Sequence, residues 1–276
     1  MTFRVASERR KFVAAIRRHG KPGGDAWLQH YVGSPVPVLG MSVPQMRAIV
    51  AAFRKEHPDI TAKDLNALAA ALRKGASFEE KALAVSLLEA HPRILDAASW
   101  RLLDRWVDDS VGWGMCDSIG AGPIATMVHG DPAKFREILA WTKSPNLWRR
   151  RVALYALRAY VAAKELDQPF RLIERLLYDE ELWVQRAVGT WLRECWKRDR
   201  RRTEAFLRKH VRGLPKVVIT VATERAPKAF REELRRKRGR RPTPHRTIGD
   251  RPCGFPASET VARRAERLIR RSESSR

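Results

Sequence analysis

An all-α fold, a superhelical solenoid of helical repeats, is what this 276-residue sequence predicts, on three observations. Apolar residues recur at helical spacing, while strand signals are scarce. Proline and glycine punctuate the chain between those segments. An aromatic residue returns every 35 positions, at Phe78, Trp113, Trp148 and Trp183.

The N-terminal stretch MTFRVASERRKFVAAIRRHG reads as an amphipathic helix with Phe12 and Ile16 on one face. It lacks the continuous apolar core of a signal peptide. Gly20–Gly24 and Pro35–Gly40 interrupt the chain, and Val43, Met46, Ile49, Val50 and Phe53 then stripe a second helix. Turns at Pro58, Pro92, Pro132 and Pro145 separate the later helices. Counted this way, about a dozen helices fill the chain to roughly residue 238.

The repeat is clearest in its last two units. LWRRRVALYALRAY from Leu147 aligns without a gap on LWVQRAVGTWLREC from Leu182, and FEEKALAVSLL from Phe78 keeps the same pattern of small and apolar residues. Two helices in a unit of this length make a solenoid of HEAT or TPR type, in which equivalent positions line up on one surface. Some of the four aromatics also read simply as core staples. Residues 1–234 are assigned to this array. Residues 235–276 form a basic tail: RRKRGRR (Arg235–Arg241) and PTPHRTIGDRP are too polar and proline-rich to pack. Within it, Ser258 as a cap and the stripe Val261, Ala265, Leu268 and Ile269 predict a short terminal helix over 258–271.

Composition narrows the function classes. A hydrophobic fraction of 44% supports a sizeable core, and a net charge of +24 points to a polyanionic partner. Residues 193–276 carry 27 Lys/Arg against 10 Asp/Glu, so +17 of the +24 lies there. That segment reads either as a non-specific nucleic-acid grip or as a solvated charged tail. The three cysteines, Cys116, Cys195 and Cys253, are far apart and form no CxxC pair, which argues against a zinc site and a disulfide framework. The pattern fits a reducing, cytoplasmic setting. No apolar run approaches the ~20 residues that span a bilayer, so no membrane partner is expected. HExxH, GxSxG, Walker and dinucleotide motifs are absent, and the seven histidines are scattered. Neither a metal nor a cofactor is expected.

Trp113-Gly-Met-Cys-Asp117 is the most informative segment. In the 35-residue register Asp117 corresponds to Ala82, Val152 and Ala187. A carboxylate at an otherwise apolar position is unfavourable without compensation, which marks a candidate functional site. The alternative is that Asp117 caps a helix or pairs with a neighbouring arginine. Trp113, four residues earlier, shares its helical face. Arg151 lies three residues after Trp148 within Arg149–Arg151. Three consecutive arginines cover a wide arc, so at least one is expected to face solvent, where its fork suits phosphate.

With these residues in view, the chain resembles the AlkD-type DNA alkylation repair glycosylases, which are built from HEAT-like repeats. The resemblance spans roughly residues 25–235. It rests on VLGMSVPQMRAIV (Val38–Val50), Trp113-Gly-Met-Cys-Asp117, Asn146-Leu-Trp-Arg-Arg-Arg151 and the QRAVG-containing segment Val184–Glu194. It implies a C-shaped array whose concave basic face cradles duplex DNA containing alkylated bases, acting as a monomer. It also implies a site with Asp117 as the catalytic carboxylate and Trp113 and Arg151 on the DNA. Arg150, Arg186 and Trp191 are further DNA-binding candidates from the same motifs. The implied reaction is release of N-alkylated purines such as 3-alkyladenine and 7-alkylguanine in base excision repair. An N-alkylated purine is already a good leaving group, so a fixed carboxylate beside the sugar suffices to stabilise the oxocarbenium-like transition state. No lysine is implicated, which implies a monofunctional glycosylase. One position departs from the pattern. The family commonly has an aromatic directly after the glycine of QRAVG, where this chain has Thr190, followed by Trp191. One residue turns a side chain by about 100° around a helix, enough to send Trp191 into the core.

Overall fold

The computed structural model describes residues 3–239. Helices joined by turns and loops make up these residues, with no strand among them. The elements are α1 (Val5–His19), α2 (Ala26–Val32), α3 (Val43–Glu56), α4 (Ala62–Arg73), α5 (Phe78–Ala90), α6 (Ala97–Asp108), α7 (Trp113–Ile119), α8 (Ala125–Val128), α9 (Pro132–Trp141), α10 (Leu147–Tyr155), α11 (Arg158–Ala162), α12 (Asp167–Leu176), α13 (Leu182–Arg198), α14 (Arg200–His210), α15 (Lys216–Ala222) and α16 (Lys228–Lys237). The helical segments outnumber the dozen expected because two longer helices are broken internally. A π turn over Gly120–Ile124 separates α7 from α8, and α10 breaks before α11.

Local sequence sets most helix starts. Asp25, Thr61, Asp131, Asn146 and Asp199 cap through their side chains, while Ser42 with Gln45, Ser77 with Glu80 and Asp96 with Ser99 form reciprocal capping boxes. The VLGMS segment is a structural clasp. The buried Glu79 carboxylate accepts from the Leu39 N–H at 2.9 Å and the Met41 N–H at 3.4 Å, which holds the α2–α3 loop against α5.

The helices pack in pairs: α4 on α5, α6 on α7, α9 on α10, α12 on α13, and α14 on α13 beside α15. The second members form a continuous row, α5–α7–α10–α13–α15, each touching the next. Its first four members carry the 35-residue repeat seen in the sequence, and α15 extends the row. Its equivalent positions Ala82, Val152 and Ala187 are all buried between helices. Close approach within the row depends on glycine. A Cβ on Gly189 of α13 would stand 2.7 Å from Val221 Cβ.

Phe12 and Ile16 of α1 are buried as the stripe predicts, whereas on α3 only Val50 and Phe53 are buried, Met46 and Ile49 are partly buried, and Val43, in the first turn, is exposed. Helix α16 runs through Arg235–Lys237, so the array extends past the expected boundary at residue 234. The remainder of the expected linker and the helix over 258–271 lie outside the described residues. Among the described residues, no helix is long and apolar enough to cross a membrane.

Candidate active site

The site is assembled where α2, α7, α10 and α13 meet. Helix α7 starts at Gly112, whose φ of +86° is left-handed backbone that only glycine adopts freely. A Cβ there would fall 2.1 Å from the Gly33 carbonyl oxygen. This contact seats the start of α7 on the end of α2. The Trp113 indole consequently donates to the Tyr31 carbonyl at 2.6 Å, and its ring meets Tyr31 edge-on at 5.0 Å. Tyr31 is stacked at 5.2 Å with Trp27, which is exposed. The result is an aromatic wall running from Trp113 out to the surface.

Asp117 follows one turn after Trp113. Beyond it, Gly120 lets α10 approach, since a Cβ there would lie 2.6 Å from Tyr155 Cβ. Arg151 of α10 then closes a two-pronged ion pair. Its Nε donates to one Asp117 oxygen at 2.7 Å and its Nη2 to the other at 2.8 Å. Nη2 also donates to the Tyr155 hydroxyl at 3.1 Å, and Nη1 donates to the Trp183 carbonyl. The guanidinium lies 5.0 Å from the Tyr155 ring centroid and 5.8 Å from that of Trp183. Asp117 thus does pair with an arginine, and that pairing compensates its charge at an apolar repeat position.

Burial pushes the Asp117 carboxyl above its ordinary value, opposed by the Arg151 charge and its hydrogen bonds. Burial works to lower Arg151, but the Asp117 charge lifts it above the ordinary arginine range. Burial, and then Asp117, push the Tyr155 phenol up, so it stays neutral beside the pair. Cys116, next in sequence to Asp117, is pushed up to about 12 by burial and is not a nucleophile here.

The remaining candidates divide. Arg186 is exposed on α13, with its guanidinium 5.2 Å from the Trp183 ring centroid, at the edge of the site. The expectation that at least one of Arg149–Arg151 faces solvent fails. Their side chains are 13%, 15% and 5% exposed, and each meets acidic groups. Arg149 holds Asp104 and Asp108, Arg150 holds Asp179, and Arg151 holds Asp117. Arg150 and Arg151 are therefore braces between repeats, without a free fork for phosphate. Trp191 is also corrected as a surface contact. It is only 5% exposed and packs edge-on against Tyr155 at 5.6 Å, supporting the site from behind.

Sequence reasoning did not assign Tyr155, Trp183 or Trp27 to the site. Tyr155 sits four residues after Arg151, a same-face spacing that was readable. Trp183 was visible only as a repeat aromatic. It precedes Thr190 by seven residues, so two helical turns place both on one face of α13. It leans on Trp148 at 6.2 Å, beneath the Arg151 and Arg186 guanidiniums. Trp27 joins through its stack on Tyr31, which the Gly33–Gly112 contact seats beside Trp113 and no local pattern announces. Elsewhere, Glu8, Glu56 and His57 bring ligand-type atoms within 4.8 Å of one another. The Lys11 ammonium already lies among them, 3.1 Å from Glu8 and paired with Glu56, and supplies the cation.

Taken together, a carboxylate held at both oxygens by a guanidinium that lies over the Tyr155 and Trp183 rings offers a preorganised anion to a cationic or electron-poor group. The family model described as DNA alkylation repair enzyme matches residues 12–226. No curated protein matches the sequence. Among solved structures, the fold is similar to that of a predicted DNA alkylation repair enzyme from Enterococcus faecalis, at 20% identity and a TM-score of 0.65 over 76% of this chain and 98% of that one. It is also similar to AlkD2 from Streptococcus mutans, at 17% identity and a TM-score of 0.57 over 78% of this chain and 98% of that one. The chain belongs to the DNA alkylation repair enzyme family.

Proposed function

We propose that the protein is a monofunctional DNA glycosylase that binds duplex DNA and hydrolyses the N-glycosidic bond of N-alkylated purines, such as 3-alkyladenine and 7-alkylguanine. One observation carries this reading: Asp117 is a preorganised carboxylate at a repeat position that is otherwise apolar, clamped by Arg151 and one turn from Trp113. An alkylated purine carries positive charge and leaves without a general acid. As the C–N bond opens, positive charge develops on the sugar, and the Asp117 carboxylate stabilises it most in the transition state. The indole faces of Trp113 and Trp183 favour the same cationic character. The carboxylate also positions the water that captures the sugar. Release of free 7-methylguanine from methylated duplex DNA tests the activity.

A second reading, a non-catalytic protein that binds damaged DNA, is favoured by Thr190 and by the burial of Trp191, which leave the second wall without its expected aromatic. Binding of methylated duplex without base release would select it.

A further inference from the structure

A cleft of about 550 Å³ opens between the ends of α4 and α6 and the starts of α5 and α7, and four basic side chains line it: Arg73, Lys74, Lys81 and Arg105. Its volume is that of a ligand-sized site. Val111 and Met115, on either side of Trp113 in sequence, form part of its wall.

Asp109 acts on Arg73 and Glu80 on Lys81 only at a distance. Among the described residues, none of the four has a carboxylate within ion-pair distance, whereas Arg149, Arg150 and Arg151 in the next repeat are all paired. Arg73 spends one nitrogen on neutral acceptors, the Ser110 hydroxyl at 2.7 Å and the Trp106 carbonyl at 3.4 Å. Its Nη1 is buried with no hydrogen-bond partner. Lys81 donates to the Arg73 carbonyl at 2.8 Å, which fixes the ammonium beside a second cation and leaves two of its three protons free. Burial lowers the proton affinity of both groups, and the Arg73 charge lowers that of Lys81 further. Asp109 is the acidic residue of the lining, which leaves a net excess of positive charge. Like charges partly withdrawn from water are unfavourable unless an anion completes the site.

We propose that this cleft is a binding site for a phosphate group. Lys74, Lys81 and Arg105 donate to its oxygens, and Arg73 supplies charge from the floor. On the proposed function, the ligand is a phosphodiester of the DNA strand that passes Trp113. Free phosphate offers the same chemistry. The proposal does not depend on base excision, and its test uses none.

The test compares wild type with Lys81→Met and with Arg105→Gln, whose exposed side chain can be changed without disturbing the core. Arg101→Gln, at an exposed position of α6 outside the cleft, is the charge-matched control. Melting is followed with inorganic phosphate against chloride at equal ionic strength, and binding of an undamaged duplex is followed against salt. Wild type should show a saturable rise in melting temperature with phosphate that both cleft variants lose. If the ligand is a DNA phosphate, each cleft variant also lowers the slope of log affinity against log salt by about 0.9. An unchanged slope with a lost phosphate response assigns the cleft to free phosphate. A loss of slope without a phosphate response assigns it to the DNA strand. The proposal is overturned if neither quantity separates the cleft variants from wild type, or if Arg101→Gln changes them equally.

Discussion

The Asp117–Arg151 pair concentrates the chemistry and much of the local electrostatic cost in two side chains. Replacing Arg151 by Met keeps the bulk but leaves a buried carboxylate without its cation, which should cost about 3–5 kcal/mol. The effect has a pH signature. Burial already raises the Asp117 carboxyl, and loss of Arg151 raises it further. A carboxyl with a raised folded-state pKa binds a proton in the native state that the unfolded chain releases. Stability therefore falls as pH rises from the ordinary carboxylate range through the folded value. The deficit of Arg151→Met relative to wild type should be largest at neutral pH and shrink in acid. Urea melts at both conditions check it, and a deficit independent of pH contradicts it. Trp191 makes a second case. As a buried residue, its replacement by Ala should cost about 3–5 kcal/mol. Trp183→Ala should instead slow excision, with a much smaller change in melting temperature. A stable Trp191→Ala protein with weakened DNA binding would show that the indole faces the ligand after all.

At the scale of elements, the site depends on how closely α7 and α10 approach. The helix that begins at Trp113 breaks at a π turn over Gly120–Ile124, where Pro123 lacks an N–H and Gly122 leaves the helical backbone at ψ −111°. A Cβ on Gly120 would also sit 3.0 Å from the Val152 carbonyl oxygen. Gly120→Ala should cost about 1–3 kcal/mol through overpacking. It should also loosen the Asp117–Arg151 geometry, reducing excision by up to about 10²-fold while DNA affinity holds. Parallel melting, binding and excision measurements check this, and full activity in the variant would show that the contact does not set the site. What the sequence disclosed follows the same division. Asp117 stood out because its register partners Ala82, Val152 and Ala187 are apolar, and that comparison is local. The roles of Arg149 and Arg150 were hidden because their acids, Asp104, Asp108 and Asp179, lie 29 to 45 residues away. A charged helix face reads alike in sequence whether water or an acid from the adjacent repeat meets it. Gly33 and Gly112 were likewise silent, since a backbone-to-backbone approach carries no side-chain signature.

Across the described residues, the 35-residue repeat turns one-dimensional spacing into a row of helices with aligned faces, and this was legible from the spaced aromatics together with the gapless match of the last two units. The basic segment beyond Gly239 has a separate role in our reading: it neutralises phosphates without contributing to chemistry. A chain ending at Gly239 should bind duplex DNA more weakly at low salt, and its salt slope should be shallower by about 0.9 for each phosphate that the segment neutralises. Once DNA is saturating, its excision rate should equal that of the full chain. A large loss of rate at saturation would assign the segment to the active site instead. The central claim is that Asp117 performs the catalytic electrostatics of base release. Its most direct test is single-turnover release of 7-methylguanine from methylated duplex by wild type and Asp117→Asn, with folding verified by melting and affinity by duplex titration. Wild type should release base measurably and the Asn variant should lose on the order of 10²-fold or more, with DNA affinity nearly unchanged. Equal release by the two proteins would contradict it.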